Sequence, residues 1–418
     1  MNAFDTSPPR DRPPRRRGLR LIARLRDGLP DLAAFVGALV VAGLAAVLVG
    51  LGGCGGGVGS EGTGSFAQGT ISGYGSIIVN GIHFDESTAQ VQDDDGATLT
   101  RSALALGMAV QIEAGDIVTG ADGVQRATAS RVRTSRALVG PVGAVDAAAG
   151  QLTVLGQTVQ VNDDTVLDAG FAGGLAGIAA GRVVEVYGEL DASAARFVAT
   201  RIAPAAATAT WRVRGAVSSV DAASGTCVIG SQTYRLASTS GVAAGSVLKL
   251  AVSGALPDAG GRWAVGGQQL GAALPSGREL QLAGVVDSVV SASRFVVDGV
   301  TVDLSGVTVN GTLAAGQRVE VRGSLSDGLL LATAVQSSSV QALRRFELNG
   351  QVAAIDLVAR RLVVQAAGRE LALSLARDDL VLQGGTLASL AVGTAVRVEV
   401  VLSADRTQLE AVAIRIGG

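Results

Sequence analysis

The chain has 418 residues, of which 48% are apolar, 17% charged and 3% aromatic, and its formal net charge is −2. This apolar content excludes a disordered chain, and the acidic balance after residue 53 argues against a surface that follows nucleic-acid phosphates. Single His and Lys residues and two cysteines exclude a His/Cys zinc site, a disulfide framework and a catalytic pair of histidines. We therefore expect no cofactor and no nucleic-acid partner.

The first segment has the anatomy of an export signal. Residues 1–31 are rich in proline and arginine, and residues 32–50 form an uncharged apolar run. The run ends at Leu51-Gly52-Gly53-Cys54, which resembles a bacterial lipobox. The resemblance implies that residues 1–53 are a signal peptide and that Cys54 is lipidated, which anchors the protein to a membrane. The alternative is an uncleaved single-span anchor, because 19 apolar residues nearly cross a bilayer at about 1.5 Å each.

A glycine-rich tether follows the lipobox over residues 54–65. In Gram-negative lipoproteins an Asp directly after the lipidated Cys retains the protein in the inner membrane, and this chain has Gly55 there. The resemblance therefore implies the outer membrane, with the protein on its periplasmic or surface face. About ten flexible residues span roughly 15–20 Å, which holds the folded part just clear of the headgroups.

Five copies of one unit follow the tether. A glycine flanked by apolar residues recurs at intervals of 66 to 75 residues, at Gly69, Gly140, Gly215, Gly284 and Gly350. A constant period of this kind indicates an array of repeated units. The predicted β-repeats 1 to 5 occupy residues 66–136, 137–204, 211–270, 280–340 and 346–418.

Each repeat contains the pattern of about five short strands. After the glycine, two β-branched runs flank a two-residue turn, as at Asn80-Gly81 and Asp298-Gly299, where positive φ angles suit a β-hairpin. Two further stretches alternate apolar and polar residues, which indicates half-buried strands. No long amphipathic helix is predicted after residue 50.

The predicted fold is all-β, a tandem array of five small five-stranded barrels resembling the OB type. Barrel closure removes most exposed sheet edges, which favours it over a β-sandwich or a continuous β-solenoid. Units of this size bury little apolar surface alone, so we expect neighbouring copies to pack together.

One stretch of the first repeat carries a family resemblance. It runs from Ile71-Ser72-Gly73-Tyr74-Gly75-Ser76 to Asp93-Asp94-Asp95-Gly96. It resembles bacterial envelope proteins with tandem copies of a domain of unknown function, numbered five-six-six-six, and the likeness extends over most of residues 65–418. The resemblance implies an exported, repeat-built β-protein and no particular activity.

The first repeat also contains the candidate metal ligands Asp93, Asp94 and Asp95, whose carboxylates suit Ca²⁺. An EF-type loop would need acidic residues at the positions of Val91 and Ser102, so a solvated turn is the favoured interpretation. Asn162-Asp163-Asp164 is interpreted in the same way.

Other candidates have weaker support. Tyr74 and His83 are candidate ligand-binding residues, but a lone His builds no metal site, and the Gly-x-Ser-x-Gly motif of many hydrolases is absent from the sequence. Aromatic residues suited to stacking on sugars or bases are sparse, and we expect them in the core: Tyr74, Phe84, Trp211, Tyr234 and Trp263. Cys227 is expected to be a small buried residue.

These observations predict a non-enzymatic, membrane-anchored envelope lipoprotein whose repeats act as binding modules or as structural spacers. Its expected partners are the membrane, through the lipid, and an envelope polymer or envelope protein. The alternative is that the first repeat binds a small ligand or Ca²⁺, or is hydrolytic, because His83 and the Asp93–Asp95 cluster are confined to that repeat.

Overall fold

β-Strands form almost all the regular structure of the chain. A computed structural model describes residues 64–418, apart from residues 207–209, 255, 272, 310, 339–344 and 418. The predicted signal peptide, Cys54 and most of the tether lie outside the described residues. The described strands fall into five sets, which we call repeats 1 to 5.

The strands of repeat 1 are β1 (Ser65–Tyr74), β2 (Ile77–Val79), β3 (Ile82–Asp85), β4 (Gln90–Gln92), β5 (Ala109–Ala114), β6 (Val118–Thr119) and β7 (Gln125–Thr134). Those of repeat 2 are β8 (Leu138–Asp146), β9 (Gln151–Val154), β10 (Gln157–Gln160), β11 (Val166–Leu167), β12 (Val183–Asp191) and β13 (Arg196–Pro204). Those of repeat 3 are β14 (Thr210–Asp221), β15 (Thr226–Ile229), β16 (Gln232–Arg235), β17 (Val247–Ser253) and β18 (Arg262–Leu270).

The strands of repeat 4 are β19 (Glu279–Ser291), β20 (Arg294–Val297), β21 (Val300–Asp303), β22 (Arg318–Ser326) and β23 (Leu329–Ser338). Those of repeat 5 are β24 (Phe346–Asp356), β25 (Arg361–Ala366), β26 (Arg369–Ser374), β27 (Val381–Gln383), β28 (Ala395–Leu402) and β29 (Leu409–Ile416). Short 3-10 turns lie at Arg101–Ala103, Gly174–Gly177, Ala192–Ala194 and Leu387–Ser389.

Every repeat closes into a five-stranded barrel by the same pairing. In repeat 1, β1 pairs with β2 and β2 with β3 in antiparallel fashion, and β3 runs parallel to β7. Strand β7 then pairs with β5, and β5 returns to β1. The parallel closing pair recurs as β10–β13, β16–β18, β21–β23 and β26–β29. The prediction of small OB-like barrels is confirmed, and the sandwich and solenoid alternatives are not adopted.

The repeated glycine marks the place where the first strand of each barrel is crowded. A Cβ atom on Gly350 would lie 2.1 Å from the backbone oxygen of Gln365, and one on Gly215 would lie 2.3 Å from Cγ2 of Ile229. Gly69, Gly140 and Gly284 have similarly close neighbours on the following hairpin. The recurring sequence phrase therefore reflects a close approach of the following hairpin, by backbone at Gly350 and by side chains at the other four glycines, that leaves little room for a Cβ atom.

The predicted hairpin turns are also present. Asn80 and Gly81 have φ angles of 52° and 74°, and Asp298 and Gly299 have φ angles of 54° and 73°. Just before each hairpin, the pairing of the first two strands shifts register by one residue, as between Ile71 and Gly73. A bulge at this position increases local bending, which helps a short sheet to close.

The repeats share cores, and not only with their neighbours in sequence. Buried side chains of repeats 1 and 5, among them Tyr74 and Phe346, form one apolar cluster, which also includes Val166 and Tyr187 of repeat 2. Most buried apolar side chains of repeats 2 and 3 form another. Strand β1 runs parallel to β19 of repeat 4 and to β24 of repeat 5. The expectation that neighbouring copies pack is therefore incomplete, because repeat 1 packs against the last two repeats as well.

Among the described residues, no helix has the length and apolar character needed to cross a membrane.

Candidate functional site at the repeat junctions

The Asp93–Asp95 cluster is a tight turn after β4. The Asp93 carboxylate accepts hydrogen bonds from the backbone N–H groups of Asp95 and Ala97 at 2.9 and 2.8 Å. Ligand oxygens of the three aspartates lie within 4.8 Å of one another, which is close enough for one cation. The structure therefore has the acidic turn that the sequence predicts at this place.

Three basic side chains, those of Arg136, Arg212 and Lys249, lie against the carboxylates of this turn. We call the turn and these three side chains the cation clamp. Nη2 of Arg136 lies 3.2 Å from Asp93 and 3.0 Å from Asp95, and it also pairs with Asp94. Nζ of Lys249 lies 3.2 Å from Oδ2 of Asp94, and Nε of Arg212 lies 3.4 Å from the same oxygen. The Asp94 side chain is only 2% exposed, so the prediction of a solvated turn is wrong for this residue.

The clamp joins three parts of the chain. Asp94 belongs to repeat 1, Arg136 lies between repeats 1 and 2, and Arg212 and Lys249 lie on β14 and β17 of repeat 3. Burial lowers the pKa of Lys249, and the charge of Asp94 opposes this shift. Burial also acts to lower the pKa of Arg136, but the carboxylates of Asp94 and Asp93 raise it overall. The arrangement pairs the buried Asp94 carboxylate with partly buried cations across an interface.

The clamp residues Arg136, Arg212 and Lys249 were not identified as partners of the Asp cluster from the sequence. The sequence distinguishes Lys249 only as the single lysine of the chain. The contacts join residues more than 40 positions apart in the chain, so no local pattern reveals them.

Tyr74 belongs to the core and is not presented to solvent. Its ring is buried, its hydroxyl donates a hydrogen bond to the Leu104 carbonyl at 2.9 Å, and burial raises its pKa to about 12. The guanidinium of Arg369, from repeat 5, lies 4.5 Å from the ring centroid. Tyr74 therefore helps to join repeats 1 and 5.

His83 lies in a separate, partly buried environment beside repeat 5. Its Nδ1 is 3.3 Å from Oγ of Ser76, a partner that the sequence did not indicate. Burial lowers the pKa of His83, and the charge of Glu347 opposes this shift. Glu347 itself accepts hydrogen bonds from Asn349 at 2.7 Å and Arg397 at 2.6 Å. His83 and the Asp cluster thus have different partners and do not form one constellation.

The remaining candidates pack as expected. Cys227 is buried and free, and burial raises its pKa to about 11. Phe84 and Tyr234 are fully buried. Trp211 and Trp263 are partly buried, and their ring centroids lie 5.5 Å apart. These aromatic residues contribute chiefly to packing.

An open groove of about 820 Å³ lies between repeats 2 and 5. Val381, Val401 and Val412 line it together with both acidic and basic side chains. Several of these are paired, among them Arg345 with Glu399 at 2.8 Å and Arg406 with Asp163 at 2.8 Å. Such a groove offers charged donors and acceptors beside apolar side chains.

The fold and these junctions define a protein of tandem OB-type β-barrels that are packed through shared cores and buried ion pairs. Residues 139–203 and 283–336 match the family model of a domain of unknown function, DUF5666. The two segments lie within repeats 2 and 4, so the resemblance to this domain is confirmed there and the chain carries the domain more than once. No curated protein matches the chain.

Proposed function

We propose that the protein is a non-enzymatic envelope lipoprotein whose β-repeats form a rigid structural module held at the outer membrane. The observation that carries this proposal is the sharing of cores between repeats 1 and 5 and between repeats 2 and 3. Repeats joined in this way move as a unit, which suits a spacer or a scaffold better than a flexible string of binding domains.

The surroundings of the candidate residues also support a non-enzymatic role. Tyr74 lies in the core and the Asp cluster is neutralised by arginine and lysine side chains. His83 contacts Ser76 through Nδ1, while the nearby Glu347 is held by Asn349 and Arg397. These arrangements favour structural roles for all three candidates.

The membrane part of the proposal rests on the lipobox-like sequence at Cys54. Intact-mass and N-terminal analysis of the membrane-extracted protein tests it. We expect a chain that begins at an acylated Cys54, and we expect Cys54→Ser to abolish both acylation and cleavage. A mature wild-type chain that retains residues 1–53 would overturn the lipoprotein and support the uncleaved anchor.

The groove between repeats 2 and 5 favours a second role, the binding of an envelope polymer. Peptidoglycan stem peptides carry both amines and carboxylates, which complement the mixed charges of the groove walls. Cosedimentation with purified peptidoglycan sacculi tests this role. We expect Arg377→Ala, within the groove, to reduce the pelleted fraction, and Arg126→Ala, on repeat 1 outside the groove, to leave it unchanged. Equal pelleting of the two variants would contradict the groove as the binding surface.

A further inference from the structure

A polar cavity of about 130 Å³ lies where repeats 1, 3 and 4 meet. Two rows of directly paired residues line it. Repeat 1 supplies Gln68, Gln111 and Arg133 on β1, β5 and β7. Repeat 3 supplies Arg214, Lys249 and Gln269 on β14, β17 and β18. The two rows use the same three strand positions of their barrels, so two equivalent surfaces face a common space.

The carboxylates of the cavity wall are already engaged. Asp298, on the hairpin turn of repeat 4, pairs with Arg214 and accepts a hydrogen bond from Gln68 at 2.5 Å. Asp94 belongs to the cation clamp. Neither acid is left to balance a further positive group in the cavity.

Several donors, in contrast, have capacity to spare. Arg133 lines the cavity and makes no hydrogen bond or ion pair with any described residue. Lys249 has three N–H donors and one acceptor among the described residues, Asp94. The amide of Gln269 reaches only the Gly271 carbonyl, at 3.4 Å. Arg133 and Lys249 therefore bring charged N–H donors to this space that no described residue accepts.

We propose that this cavity binds a small oxyanion, the phosphate or carboxylate group of a low-molecular-weight ligand. A cavity of about 150 Å³ holds a ligand of six heavy atoms, so the volume fits one such group. Arg133 and Lys249 are the residues that donate to it, and Gln269 adds a neutral donor. An anion at this place also supplies a counter-charge to Lys249, whose pKa burial lowers. The proposal goes beyond the structural role above and does not depend on the membrane anchor.

Calorimetric titration of the detergent-solubilised full chain with sodium phosphate, and separately with sodium acetate, tests the proposal. Sodium chloride at matched ionic strength is the reference. Binding of phosphate alone identifies phosphoryl ligands, and binding of acetate alone identifies carboxylates. No binding of either anion above the chloride reference would overturn the proposal.

Variants locate the site. We expect Arg133→Gln and Lys249→Gln each to weaken binding about tenfold, since a charged donor is lost. Arg361→Gln, an exposed arginine of repeat 5, is the matched control and should bind as the wild type does. Because Arg133 is exposed, its substitution should leave the fold intact even if Lys249→Gln does not fold. Equal affinity of Arg133→Gln and wild type would overturn the assignment.

Amine labelling gives an independent readout. Lys249 is the single lysine of the chain, so acetylation at this residue is followed by mass spectrometry of one peptide. We expect the bound anion to slow the acetylation of Lys249 severalfold in the wild type and not in Arg133→Gln. An unchanged labelling rate at saturating anion would place the anion elsewhere.

Discussion

Nζ of Lys249, on repeat 3, lies 3.2 Å from Oδ2 of Asp94, on repeat 1. The two residues are separated by 155 positions in the chain and by an entire intervening barrel. Their contact, together with those of Arg136 and Arg212, means that the acidic turn is a structural joint between repeats. This relationship leads to the first prediction.

Asp94→Asn should destabilise the folded chain by about 3 kcal/mol, because the partly buried Lys249 loses its carboxylate partner. Arg136 and Arg212 each lose one carboxylate partner and keep another. Urea unfolding followed by circular dichroism measures the change. The control is Asp122→Asn, which breaks an exposed ion pair with Arg126 and should leave the urea midpoint unchanged. Equal midpoints for Asp94→Asn and the wild type would show that the clamp contributes little.

Gly350→Ala should destabilise the protein by about 1–3 kcal/mol, because the new Cβ would lie 2.1 Å from the backbone oxygen of Gln365. Gly266→Ala is the matched control, since Gly266 is also in a strand but has no atom within 4 Å of its Cβ position. Thermal unfolding of both variants compares them. A Gly350→Ala protein with the wild-type melting temperature would contradict the crowding that we assign to the repeated glycine.

His83 should give the stability a defined pH dependence. Its pKa in the folded state is below the ordinary value of 6.5, so the unfolded chain binds the proton first as the pH falls. Stability should therefore decrease below about pH 6.5, until the folded ring is protonated as well. Since His83 is the single histidine, one NMR imidazole signal reports its pKa directly.

Unfolding of His83→Gln isolates this contribution from the buried carboxyls of Glu185 and Asp287, whose pKa values are raised by burial. The difference in urea midpoint between wild type and His83→Gln should change between pH 7.5 and 5. A constant difference over that range would indicate that folding does not perturb the ring.

Removal of residues 345–418 should unfold repeat 1 as well as remove repeat 5. Their side chains form one core, so the truncation exposes Tyr74 and other buried residues of repeat 1. Hydrogen exchange followed by mass spectrometry should show loss of protection in β1 to β7, while repeats 2 and 3 keep most of theirs because most of their buried side chains form another cluster. Full protection of β1 to β7 in the truncated chain would mean that the repeats are independent.

Much of the fold was predictable from the sequence because its determinants are local. Alternating strands, the Asn80-Gly81 turn and the recurring glycine all act over a few residues, and the structure confirms barrels built from them. The junctions were not predictable. The pairing of β1 with strands of repeats 4 and 5 depends on contacts between residues distant in the chain. The choice of cations around Asp94 depends on such contacts as well.

The environments of the candidate residues were likewise predictable where they depend on local sequence, and not where they depend on distant contacts. The burial of Cys227 followed from its place in an apolar run, whereas the burial of Asp94 contradicts its place in an Asp-Asp-Asp-Gly turn. An acidic turn is normally solvated, and only the packing of another repeat on top of it changes that outcome. The cavity between repeats 1 and 3 likewise has no signature within either repeat.

The core that repeats 1 and 5 share has a consequence for the order of events during synthesis. Repeat 1 is made first, and its partner strand β24 begins at Phe346, about 200 residues after the end of β7. At roughly 5–20 residues per second, the first barrel waits on the order of 10–40 s with an apolar face uncovered. Repeat 1 is therefore vulnerable to aggregation and proteolysis during this interval, and the emergence of repeat 5 ends its exposure.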